Sequence, residues 1–354
     1  MNRIRLTVYY FLKILLLLIA CVYVNTLTSC AQVIASTFKH PVYQEPDIFV
    51  ITNRQTDTLN AKFSFTNQVK TDPSLTFYKV NASSTASLQL TRLDSITFLR
   101  EISEIKNQDW LLFVHGDNKT FEKAVIRGLN IQNMHKIRVI VFAWPSKDIH
   151  LHGYKNFKTS HQNVEKSVNH FNSVLGTMAG LRNLNTNFLN GHKLSLFLHS
   201  LGNYYLECMG NKKMFLDKPS LLFDNVIINE AAVEEKNHVN WVEQIHFQNN
   251  IFINSNRCDI ELKGLRIFTN HGKQLGEKVT SPFANNAIYL NFTKSVGFRI
   301  RTVTTHTYFI GKVPEKNKNV RLLYFEIFHG LKPNLANESR FKIRRKSSGD
   351  IIVR

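Results

Sequence analysis

The chain has 354 residues, 43% of them hydrophobic, with 45 basic against 26 acidic side chains and a formal charge of +19. The length suits one large domain rather than two, no stretch is rich enough in Pro, Gly or Ser to act as a linker, and no internal repeat is visible. The positive surplus attracts polyanions and anionic lipid surfaces. The cations are nevertheless spread along the chain, and no nucleic-acid-binding module occurs, so a nucleic-acid partner is not expected.

In chain order, the first element is a basic start, Met1-Asn-Arg-Ile-Arg5 with Lys13, followed by a mostly apolar run from Ile14 to Leu27. Leu27-Thr-Ser-Cys30 closes it as a bacterial lipoprotein signal would. Cleavage after residue 29 would leave Cys30 for diacylglyceryl and palmitate-type acyl attachment, and two or more chains anchor stably where one does not. Leu18-Ile-Ala-Cys21 is a second such box, but it would leave Val22-Tyr-Val just after the lipid. An uncleaved span is the other reading, since Val8 to Thr28 is long enough to cross a bilayer. The expected location is the bacterial cell envelope, lipid-anchored and facing the periplasm. Residues 30–46 then read as a tether.

Two or three strands are expected between Asp47 and Leu99, forming an antiparallel edge. From Trp110 onward strands alternate with helices, which argues for a mostly parallel sheet covered on both faces. Trp110-Leu-Leu-Phe-Val is a buried-type strand that ends in His115-Gly116-Asp117, and Thr120-Phe-Glu-Lys then opens a helix. A helix over 163–182 links the Trp144-Pro-Ser146 strand end to the next strand. That strand, Leu194-Ser-Leu-Phe-Leu, runs directly into His199-Ser200-Leu-Gly202 and a helix-compatible run.

A serine on a tight strand-to-helix turn is presented as a nucleophile. Read alone, Ser200 is equally an ordinary helix cap. The rest of the chain supplies the missing parts in the order Ser, acid, His. Asp259 follows the apolar run Ile251-Phe-Ile-Asn254, and His306 lies in the polar stretch before Tyr308-Phe309. An imidazole can take the serine proton, and a carboxylate on its other nitrogen fixes the tautomer. Glu230, after Asn225-Val-Ile-Ile-Asn229, is an alternative acid one strand earlier. The oxyanion that forms when the serine attacks needs preorganised donors. The Leu201 NH and an NH from Gly116 or Asp117 are the candidates.

No C-x-x-C, H-E-x-x-H, Walker or G-x-G-x-x-G spacing occurs, so neither a metal nor a cofactor is expected. His161 and His170, nine apart on one helix, do not share a face as four-apart residues would. Beyond the signal only Cys208 and Cys258 remain, and two buried free thiols are expected. Arg340-Phe-Lys-Ile-Arg-Arg-Lys346 marks residues 336–354 as a basic, flexible tail after a domain over 47–335.

The sequence resembles a family of uncharacterised bacterial α/β-hydrolases of esterase or lipase type. The resemblance is carried by Phe49-Val-Ile-Thr-Asn-Arg54, Phe113-Val-His-Gly116, Val141-Phe-Ala-Trp-Pro-Ser146, His199-Ser-Leu-Gly-Asn203, Asn256-Arg-Cys-Asp259, Gln274-Leu-Gly276 and His306-Thr-Tyr-Phe309, in family order. It implies an α/β-hydrolase fold with nucleophile Ser200, acid Asp259 and base His306. It also implies an acyl-containing small molecule or lipid as substrate, cleaved at an ester or related acyl bond. Leu198 stands where relatives often carry Gly or Ala, which puts the strained turn in question. Asp117 stands where an apolar residue is common, so it either points away from the oxyanion hole or weakens it. Two other functions fit the same residues: a non-catalytic lipoprotein that keeps the fold as a binding or envelope-scaffold module, and an amidase or peptidase with the same triad.

Overall fold

The computed structural model describes residues 32–35, 39–57, 63–183, 192–219, 221–269, 271–297, 305–346 and 349–354. The signal segment, Cys21 and Cys30 lie outside the described residues. A twelve-stranded sheet in the order β1-β6-β5-β2-β8-β7-β9-β10-β11-β12-β14-β13 forms the frame. Its centre consists of β2 (Asp47–Thr52), β7 (Trp110–Val114), β8 (Arg138–Phe142), β9 (Leu194–His199), β10 (Phe223–Asn229), β11 (Gln248–Ser255) and β12 (Ala287–Asn291), all paired in parallel. These strands read as near-continuous apolar runs because both faces are covered, and every residue of β7, β9 and β10 is buried.

The antiparallel edge expected before Leu99 is present. β5 (Thr76–Asn81) pairs antiparallel with β2 and with β6 (Ser87–Leu93). β1 (Gln32–Ala35) then adds to β6, so this part of the expected tether is a sheet strand. Its Ile34 is buried, which gives the segment a reason to dock. A separate hairpin joins β3 (Arg54–Asp57) to β4 (Ser64–Val69).

Helices cover both faces. On one side lie α1 (Ser95–Glu104), α3 (Gly153–Asn183), α4 (Tyr204–Asn211), α5 (His238–Val242) and α6 (Ile260–Thr269). The other side carries α2 (Phe121–His135), the short α7 (Thr293–Val296) and α8 (Lys312–Lys316), and α9 (Lys318–Phe328). Asp94 caps α1 by accepting from the amides of Ile96 and Thr97, and Thr120 caps α2 by accepting from that of Lys123. α3 begins ten residues before the expected helix, at Gly153. In α2, a Cβ on Gly128 would fall 2.4 Å from Val141 Cγ2, so the helix lies closer to β8 than any other residue there would allow.

The C-terminal residues correct the reading of a flexible tail. β13 (Ile343–Arg345) and β14 (Ile351–Val353) pair with each other, and β14 runs parallel to β12. Phe341, Ile351 and Val353 are buried in the core on the α2 and α9 side. Arg340 forms an ion pair with Glu326 of α9. Phe341 within the basic run, and Ile351 and Val353 after it, therefore fix the segment to the domain.

Candidate active site

The carboxyl ends of β7, β9, β10 and β11 meet in one region, where parallel sheets place their ligand sites. Ser200 stands at the end of β9 with φ +54, a left-handed conformation that costs a non-glycine residue about 1–3 kcal/mol. Its carbonyl accepts from Asn203 Nδ2 at 2.9 Å and from the Ala232 amide at 3.2 Å, which holds the turn in place. Leu198 is fully buried, opposite Val114 of β7 and Ile228 of β10. The strained turn therefore forms with leucine at that position.

His115-Gly116 abuts the turn. A Cβ on Gly116 would lie 2.5 Å from Ser200 Cβ and 3.1 Å from Ser200 Oγ, so only glycine brings this backbone so close to the hydroxyl. Gly202 makes the reciprocal approach, with room for no Cβ beside the His115 and Val114 carbonyls. Among the described residues, no intramolecular acceptor takes the amides of Gly116, Asp117 or Leu201. The Asp117 side chain turns toward α3: its Oδ1 accepts from Asn156 Nδ2 at 2.9 Å, and Ser160 is a second partner.

The loops that carry His306 and Asp259 are joined directly. His306 Nδ1 donates to Asp259 Oδ2 at 2.5 Å, both side chains being buried. Asp259 Oδ1 accepts from the amides of Glu261 and Leu262, at the start of α6. Asn256 Nδ2 holds the Thr305 carbonyl at 2.8 Å, and His199 Nε2 donates to the His306 carbonyl at 3.0 Å. The rings of His199 and His306 are 4.6 Å apart, so the residue before Ser200 braces His306. No hydrogen bond joins Ser200 to His306 among the described residues. His306 Nε2 instead faces Glu261 Oε2 at 3.6 Å. Glu230, the alternative acid, accepts from the Tyr308 hydroxyl and lies near Asp259 without a hydrogen bond to the imidazole.

Burial lowers the His306 pKa, but the carboxylates of Asp259 and Glu261 outweigh it and leave the pKa above 6.5. Burial likewise raises that of Asp259, and the adjacent His306 reverses the sign to leave it below the usual carboxylate value. His199 is driven well below 6.5 by burial and by the charge of His306, so it is neutral. Lys119, in the loop after Gly116, is lowered to about 8 by burial and by Arg127, with Nζ 3.4 Å from the Asp117 carbonyl.

Glu230, Asp259 and His306 are the one group among the described residues with the donor types of a metal site. The 2.5 Å contact between His306 and Asp259 is a hydrogen bond, shorter than the separation of about 3 Å between two ligands of a tetrahedral zinc. Asp259 Oδ1 is also committed to two amides. The trio therefore fits a proton-sharing chain better than an ion. Cys208 is a buried free thiol, raised to about 12 by burial, whereas Cys258 is only half-buried.

Residue patterns assigned no role to several groups that hold this site. Arg54 is buried, and its guanidinium donates to the carbonyls of Ala143, Trp144, Lys119 and Thr66. Trp144 Nε1 donates to the His115 carbonyl at 2.7 Å, and its indole stacks on the His115 ring. Ser146 Oγ donates to the Gly116 carbonyl at 3.1 Å. The Phe49–Arg54 and Trp144-Pro-Ser146 motifs thus clamp the loop after β7. Gly276 passes the Glu230 backbone with no space for a Cβ.

The strand crossover, the serine turn and the buried acid–base pair define an α/β-hydrolase fold. Residues 94–259 match the model of a family described as alpha/beta hydrolase of unknown function (DUF900), just under half of the chain and including Ser200 and Asp259. Among solved structures, an acylaminoacyl peptidase from Pyrococcus horikoshii is similar at 11% identity and a TM-score of 0.30, over 81% of this chain and 58% of the peptidase. The chain thus spans less than two thirds of that protein's length. No curated protein matches the chain.

Proposed function

We propose that the protein is a serine hydrolase that cleaves an ester or related acyl bond through an acyl-enzyme on Ser200. The observation that carries this reading is the buried His306–Asp259 pair at 2.5 Å beside a serine held at φ +54. Because Nδ1 donates to Asp259, neutral His306 keeps its Nε2 lone pair for the Ser200 proton. Oγ then attacks the acyl carbon, and Asp259 balances the imidazolium. The amides of Leu201 and of Gly116 or Asp117 receive the oxyanion. His306 returns the proton to the leaving group, and water hydrolyses the acyl-enzyme by the same path. The serine hydroxyl must take the nitrogen that now faces Glu261, a contact that such sites tighten on binding substrate.

A panel of short-chain esters and peptide amides tests this, with Ser200→Ala as control. Ester turnover lost in the variant supports the reading, and preferential amide turnover favours a peptidase. The missing Ser200–His306 bond favours the second reading, a binding module, which predicts no turnover of either. We also assign residues 1–29 as a lipoprotein signal and Cys30 as the acylated residue, which puts the protein on the envelope membrane. Metabolic labelling with an alkyne fatty acid should tag the full chain and not Cys30→Ser. Equal tagging of both would contradict the assignment.

A further inference from the structure

We infer that Glu230 is a positioning residue, a neutral carboxylic acid that donates a hydrogen bond to Asp259 and so holds the triad acid anionic and aimed at His306. This rests on the serine-hydrolase reading of the site. Glu230 is fully buried at the end of β10, with φ +44. Its amide is bonded to the Asn254 carbonyl at 3.1 Å, and Gly276 presses on its backbone, so the direction of the side chain is fixed.

One oxygen, Oε1, accepts from the Tyr308 hydroxyl at 2.5 Å. The other, Oε2, is buried and receives no donor. Charged and titratable groups facing it are Asp259 and Glu261, both acids, the His306 imidazole, which Asp259 already engages, and the hydroxyls of Tyr308 and Tyr324. An ionised Glu230 would then be a buried charge with an unmet oxygen beside a second carboxylate, an arrangement that low-dielectric surroundings do not support. Protonation on Oε2 removes both difficulties, because that oxygen becomes a donor and Asp259 is its acceptor.

Asp259 then receives four hydrogen bonds: two amides on Oδ1, His306 on Oδ2, and Glu230. One polar atom from each of Glu230, Asp259 and His306 lies within 4.8 Å of the other two, which puts the two carboxyls side by side. Burial and the neighbouring Asp259 both push Glu230 well above the usual carboxylate range, while His306 and Glu230 hold Asp259 below it. Two carboxyls driven apart in this way take different tasks. The proton stays on Glu230 throughout, and no bond forms or breaks at it.

The test uses the full-length protein at neutral pH. The infrared difference spectrum of wild type minus Glu230→Gln should show the carbonyl stretch of a protonated carboxyl that shifts in D2O, the subtraction removing the contribution of Glu207, which burial pushes up to about 7. The glutamine still offers an N–H to Asp259, so fluorophosphonate labelling of Ser200 should stay within about threefold of wild type, whereas Glu230→Leu should label about tenfold slower or worse. A purely space-filling role predicts the reverse order, because leucine packs better than an amide in an apolar pocket. Absence of the difference band, or a glutamine variant as slow as the leucine one, would overturn the inference. A wild type with the band but no labelling would instead overturn the serine-hydrolase reading, and the positioning role with it.

Discussion

His306 carries the opposing demands of the site in one ring. Burial lowers its pKa, and the carboxylates of Asp259 and Glu261 raise it past 6.5. A histidine whose folded pKa is raised contributes stability fully below its unfolded value and loses it as pH rises through the folded value. A general base works in the neutral form, so reactivity runs the other way. The rate of fluorophosphonate labelling should rise with pH through a midpoint above 6.5. Glu261→Gln removes one of the charges that raise it and should move the midpoint to lower pH. A wild-type midpoint at or below 6.5, or one unmoved by the substitution, would contradict this electrostatic account.

At the scale of elements, the loop after β7 is held by parts distant in sequence. Arg54 reaches four carbonyls, on β4, at the end of β8 and in the loop itself. A buried carbonyl left without its donor costs about 1–3 kcal/mol, and a lysine cannot span four positions as a planar guanidinium does. Arg54→Lys and Arg54→Met should both lower the thermal midpoint, and labelling of Ser200 should fall at temperatures where both variants remain folded. A wild-type midpoint in either variant would show that the clamp is dispensable. Residue patterns proposed Ser200, Asp259 and His306 through their order along the chain, a signal that no one segment carries by itself. The clamp escaped assignment because its bonds join residues 54, 119 and 144, and no local pattern encodes such a contact. The pairing of Asp259 rather than Glu230 with His306 was likewise set by how neighbouring strands end.

For the whole molecule, the βα alternation from Trp110 made the central sheet and its two helical layers legible, together with the antiparallel edge. The two ends of the sheet were not. β1 and β14 are four and three residues long, and each becomes a strand only by pairing with β6 or β12. The basic residues around Phe341 also masked its burial. Phe341, Ile351 and Val353 are buried side chains of a kind that each contribute about 1.5–3 kcal/mol. Deletion of residues 336–354 should therefore lower the thermal midpoint by about 5 °C or more. An unchanged midpoint would restore the picture of a loose tail. No helix among the described residues is long and apolar enough to cross a membrane.

The central claim is an activated serine, and fluorophosphonate labelling of the full-length protein beside Ser200→Ala tests it most directly. The account predicts covalent modification of the wild type, mapped by mass spectrometry to Ser200, and none of the variant. A folded wild type that stays unmodified, or a variant modified equally, would contradict it.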